Sequence, residues 1–246
     1  MKIFVVNARR VKKRVIRSCV IIVPLIMAFL LLSFGTKSKE DIYIYSSKEP
    51  KEKIIIIDPG HGGEDAGATG VTGVVEKDLN MEISLLIGDE LIKRGYTVIF
   101  TRTSDRLLYK DEENIKGMRK ISDLKNRCAF AEEYPNAIFI SIHMNNFGAE
   151  KYSGLQVYYS DSNEESESLA KDIQNAVKEN LQKDNTRNVK NGKGLYILDN
   201  CKATSVIVEC GFLSNRVECE KLSEKEYQKE LSLSIVYGII EYIEEN

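Results

Sequence analysis

Four short apolar runs constrain this chain more than any other feature. Residues 53–58 (KIIIID), 96–102 (YTVIFTR), 137–143 (AIFISIH) and 205–210 (SVIVEC) have strand length and are rich in isoleucine and valine. Near-continuous apolar runs fit strands buried on both faces, and amphipathic stretches of helical length separate them. A further strand is expected at 154–160 (GLQVYYS) and a short extended piece at 195–198. Helices are expected at 78–94, 121–133, 163–182 and 224–245. In the first of these, Leu79, Ile83, Leu86, Ile87 and Leu91 share a face and Gly95 ends the run. The expected fold is α/β: three layers, a mostly parallel or mixed twisted sheet, and helices on both faces. In such sheets, ligands gather at the carboxyl ends of the strands.

The N-terminus differs from the rest. Residues 1–18 carry Lys2, Arg9, Arg10, Lys12, Lys13, Arg14 and Arg17 and no acid, although the whole chain of 246 residues has a net charge of -2. The body is therefore acidic, which argues against a nucleic-acid partner. Residues 19–35 (CVIIVPLIMAFLLLSFG) are apolar and uncharged. A basic stretch before such a run reads as a secretory signal or an anchor that engages the membrane, with the rest of the chain facing outward. The expected division is a basic cytoplasmic end at 1–18, a signal or anchor at 19–35, a linker at 36–52 and one catalytic domain at 53–246. Cys128, Cys201, Cys210 and Cys219 fall in that domain, where export would permit a disulfide.

The chain has two histidines, and each follows an apolar strand: His61 after IIIIDPG and His143 at the end of AIFISIH. A third strand, SVIVE, finishes on Glu209. Parallel strands would bring the three groups to one rim, and two imidazoles with a carboxylate suit a zinc site with an open position. The same residues also suit structural histidines and a glutamate paired with a cation, and their long separation is not a local metal motif. The glycine-rich DPGHGG segment, with Gly67, Gly70 and Gly73 after it, allows close backbone approach but lacks the GK[ST] ending of a phosphate loop. It leads to Glu76, which by local pattern reads as a first-turn glutamate favoured by the helix dipole.

Taken together, DPGHGGEDAGATG, EKDLN, TRTSD, DLKNR, SIHMN and VECGFLSN resemble, in the same order, the zinc-dependent N-acetylmuramoyl-L-alanine amidases. The resemblance runs from Lys53 to the C-terminus and is nearest to the germination-specific amidases of spore-forming bacteria. It implies Zn2+ held by His61, Glu76 and His143, and Glu209 as the catalytic proton carrier. It also implies hydrolysis of the amide between N-acetylmuramic acid and L-alanine in peptidoglycan, in the cortex before muramic δ-lactam formation. Asn80, Arg102, Arg127 and Asn145 match recurrent positions and are expected to contact substrate, with a helix-cap, strand-end or ion-pair role as the alternative for each. Other readings of the domain are a zinc peptidase acting on another amide and a metal-free wall-binding module. A regulatory protein partner is a further expectation.

Overall fold

The computed structural model describes residues 44–45, 53–134 and 136–246. The basic end and the apolar segment 19–35 lie outside them. Among the described residues, no helix is long and apolar enough to cross a membrane.

A seven-stranded sheet forms the middle layer, in the order β1-β3-β2-β4-β7-β5-β6. Its strands are β1 (Ile44–Tyr45), β2 (Ile54–Pro59), β3 (Thr97–Phe100), β4 (Ile138–Asn145), β5 (Gln156–Tyr159), β6 (Lys190–Asn191) and β7 (Thr204–Phe212). The four at the centre, β3, β2, β4 and β7, run parallel. β5 is antiparallel to β7, β6 is parallel to β5, and β1 is antiparallel to β3. The expected mixed sheet therefore forms. The stretch expected as linker contributes its edge strand, since Ile44 pairs with Ile99 and Tyr45 with Val98.

Strand alternation sorts the apolar residues into two layers. Ile55, Ile57, Ile140, Ile142, Val206, Val208 and Cys210 face one core with α1 (Glu76–Lys93), α3 (Glu165–Asn180) and α6 (Lys225–Glu245). Ile56, Ile99, Phe139 and Ile207 face the other, thinner core with α2 (Arg119–Glu132) and α4 (Tyr196–Asn200). Both faces of β2, β4 and β7 are covered, which is why these strands carry near-continuous apolar runs. All four described cysteines are buried and free.

Two local readings need correction. Residues 195–198 are not an extended piece: Leu195 alone is extended, at φ -88 and ψ 117, and caps the five-residue helix α4. A short apolar run cannot be assigned from periodicity alone. The helix α5 (Arg216–Ser223) was not expected, although Asn215 announces it by capping its first turn, accepting the backbone N–H of Glu218 at 3.0 Å.

Candidate active site

The site begins at the end of β2. Here the chain turns sharply, and His61 sits at φ 61, a conformation that costs a non-glycine residue on the order of 1–3 kcal/mol. Two arginines hold the turn from beneath. Arg102 donates from Nε to the carbonyl of Pro59 (2.8 Å) and from Nη2 to that of Gly60 (2.9 Å). Arg127 donates to Pro59 (3.0 Å) and, through Nη2, to the carbonyl of His61 itself (2.7 Å). Asn80 on α1 adds a bond to Gly60 at 3.2 Å.

These bonds correct the expectation of substrate contact for Asn80, Arg102 and Arg127. The three side chains are 0%, 2% and 1% exposed, so no substrate reaches them. They position the loop instead. Arg127 is balanced by two buried carboxylates, Asp58 and Asp123. Burial alone would push the Asp58 carboxyl up, but Arg127 and the hydroxyls of Ser141 and Thr101 outweigh it and hold it below its usual range. Arg127→Met is expected to lower stability by about 3–5 kcal/mol, because Asp58 would stay buried without its cation. Urea unfolding at pH 7 measures this, and a loss under about 1 kcal/mol contradicts the clamp. Because the folded-state pKa of Asp58 is depressed, its contribution is complete above about pH 4 and is lost as the pH falls through the folded value.

Above the clamp, three side chains converge. The ring nitrogen Nε2 of His61 and the Nδ1 of His143 each lie 3.1 Å from Oε1 of Glu76. One ligand atom from each residue lies within 4.8 Å of the others. The rings meet edge to face, with centroids 4.9 Å apart. Glu76 opens α1, yet its carboxylate turns inward: Oε2 accepts from Ala68 N–H (2.7 Å) and Oε1 from Met144 N–H (3.1 Å). Burial works against its charge, but the two histidines prevail and hold its pKa low. Two glycines make room. A Cβ on Gly60 would stand 2.2 Å from His143 Nε2, and one on Gly67, at φ 69, would stand 2.5 Å from Glu76 Oε2.

Asp65 completes His61. Its Oδ2 lies 2.8 Å from His61 Nδ1, which fixes the ring and aims Nε2 inward. Burial would lower the pKa of His61, yet the bonds to Asp65 and Glu76 raise it to about 9. This is the acid–histidine pairing that orients imidazoles toward metals. Two nitrogens and a carboxylate oxygen, buried yet reachable, fit a divalent transition metal with an open position. Asp65 was not singled out in the sequence, although a carboxylate four residues past a candidate ligand is a readable signal. Asp65→Ala is expected to weaken metal affinity by about 10–100-fold, as metal titration would show.

Glu209 stands beside this trio. It is the register partner of His143 across β4 and β7, so both side chains leave the same face of the sheet. Its Oε2 is buried and accepts no hydrogen bond among the described residues. Burial, reinforced by the charge of Glu76 and opposed by both histidines, raises its pKa to about 7. Cys210, next in sequence, points into the opposite core. Asn145 ends β4 half-buried at the rim and reaches the hydroxyl of Tyr158.

The N-acetylmuramoyl-L-alanine amidase family matches residues 55–241. The chain belongs to that family. The germination-specific amidase of Bacillus subtilis is 35% identical to this amidase over 223 residues, covering 89% of this chain and 93% of that protein. The solved CwlD amidase of Clostridioides difficile, in complex with the GerS lipoprotein, is 38% identical with a TM-score of 0.75, covering 79% of this chain and 100% of that one. The amidase AmiC2 of Nostoc punctiforme is 29% identical with a TM-score of 0.68, covering 79% and 99%. The amidase domain seen in these proteins therefore accounts for nearly all of the described fold. It is a peptidoglycan hydrolase domain with a histidine–glutamate site at the strand rim.

Proposed function

We propose that this amidase uses Zn2+ held by His61, Glu76 and His143 to hydrolyse the bond between the lactyl group of N-acetylmuramic acid and L-alanine, with Glu209 moving the proton. The observation that carries this reading is the convergence of three ligand atoms within 4.8 Å, with Glu209 in register beside His143. Amides resist water because the carbonyl is a weak electrophile and the amine leaves poorly. A bound zinc ion supplies carbonyl polarisation and lowers the pKa of a water molecule toward about 7. Glu209 supplies the remaining chemistry. Its buried carboxylate takes the proton of the attacking water and gives it to the departing nitrogen. Asp65 keeps the His61 ring in place, and the Arg102–Arg127 clamp keeps the loop from relaxing. Asn145 lies at the rim, where it would touch substrate.

The cellular reading follows the relatives. We infer action outside the cytoplasm, on spore cortex peptidoglycan before δ-lactam formation, with residues 19–35 serving export or anchorage. The pairing of CwlD with a lipoprotein supports a protein partner for this chain as well. Mass spectrometry of purified cortex peptidoglycan, incubated with the zinc-loaded chain, tests the reaction. Free N-terminal L-alanine and unsubstituted muramic acid are expected; products that keep the muramoyl–alanine bond overturn the assignment.

A further inference from the structure

The active-site rim continues past Glu209. Sheet order places the groups in a row: His61 after β2, His143 on β4, Glu209 on β7 and Gln156 on β5. Gln156 is the register partner of Glu209. Its amide is held from two sides, donating to the carbonyl of Asn188 (2.7 Å) and accepting from Nη1 of Arg187 (3.0 Å). Arg187 also donates from Nε to the carbonyl of Ser153 at 2.7 Å, and its guanidinium lies over the ring of Phe212, 4.4 Å from the centroid.

This arginine is fixed and half-buried, and no salt bridge among the described residues engages it, although the charge of Glu218 acts on it from further off. Among the described residues no carboxylate pairs with it; its bonds go to neutral acceptors. The neighbouring acid Glu218 spends both oxygens elsewhere, on the N–H groups of Gly154 (2.8 Å) and Phe212 (2.7 Å). A guanidinium ordered by neutral partners and an aromatic face keeps its full charge for a ligand and loses little entropy on binding one.

We propose that Arg187 binds the free carboxylate of the residue that follows L-alanine in the stem peptide, and so sets the preference of this amidase for acidic over amidated peptides. The proposal rests on the amidase reading above. Glu209 must stand next to the departing nitrogen to protonate it, so the peptide side of the scissile bond lies on the Glu209 side of the metal ligands. Peptide leaving the site there runs toward β5. In stem peptides the second residue is an acidic amino acid joined through its side chain, which leaves its α-carboxylate free. Two extended residues cover roughly 7 Å, and adjacent strands are about 4.8 Å apart. The first carboxylate beyond the cut thus falls in the neighbourhood of Arg187. Beyond it lies a cleft of about 550 Å³ whose lining sets Lys151, Lys183, Arg187 and Lys221 against Asp184 and Glu218, a surface of net positive charge for the remaining peptide.

The test compares two peptidoglycan fragments, alike except that the second peptide residue carries either a free carboxylate or its primary amide. With the metal-loaded full-length chain, kcat/KM is expected to favour the free acid by about 10–100-fold, the range of one charge-assisted interaction. Arg187→Gln should shrink that ratio to near one, chiefly through KM for the acid, and Arg187→Lys should restore part of it. Equal wild-type rates on both fragments overturn the proposal and leave the amidase reading intact, and they do so even if the variants fail to fold. A ratio that survives Arg187→Gln, with the variant folded and metal-loaded, also overturns it. Failure to cut the muramoyl–alanine bond in either fragment removes the amidase reading itself.

Discussion

Glu209→Gln is expected to keep its metal and lower kcat by roughly 10²–10⁴-fold, the span that a positioned general acid–base contributes. The substitution is nearly isosteric, so the packing of β7 between β4 and β5 stays as it is. What changes is the ability to accept a proton. In the native chain one carboxylate oxygen is buried without a hydrogen-bond partner among the described residues, and burial with the charge of Glu76 raises the pKa to about 7. A carboxylate within reach of the reacting water can both take and return a proton. A glutamine can do neither. The measurement is a pair: metal stoichiometry by elemental analysis and turnover on purified peptidoglycan. A metal-loaded variant that turns over at the native rate would remove Glu209 from the mechanism.

His61→Ala and His143→Ala should each abolish metal retention and bring activity to background. Each removes one of the three ligand atoms gathered within 4.8 Å among the described residues, so the expected fall in affinity exceeds the 10–100-fold typical of losing a residue behind a ligand. The two variants should also differ. Removing His61 frees Asp65, which keeps an ion pair with Lys120 at 3.2 Å. Removing His143 leaves Gly60 facing an empty space, because the His143 ring packs directly on it. Native metal content in either variant after dialysis would exclude that histidine from the ligand set.

Much of this was readable in the residues, and for a physical reason. Burial on both faces writes near-continuous apolar runs into β2, β4 and β7, so the strands are legible, and His61, His143 and Glu209 each sit at or just beyond the expected end of one. The glycines near His61 announced close approach, and the structure shows Gly60 and Gly67 pressed against His143 and Glu76. For Arg102 and Arg127 the sequence leaves both substrate contact and a structural role open, because it gives the position of an arginine near a strand end or on a helix but not whether its head turns out to solvent or under a loop. Their inward turn depends on the carbonyls of Pro59, Gly60 and His61, which only the left-handed turn at His61 presents together. Arg187 escaped notice for a similar reason. Its significance lies in what surrounds it, and Ser153, Gln156 and Phe212 come from two strands and a loop.

The order of the strands has a consequence for the newborn chain. β7 is among the last strands to be synthesised, yet it occupies an interior slot of the sheet. A nascent or truncated polypeptide that stops before it lacks both an interior strand of its sheet and Glu209, the proposed proton carrier. The central sheet therefore closes only once residues 204–212 have been made, so the rim that gathers His61, His143 and Glu209 is one of the last features of the domain to form.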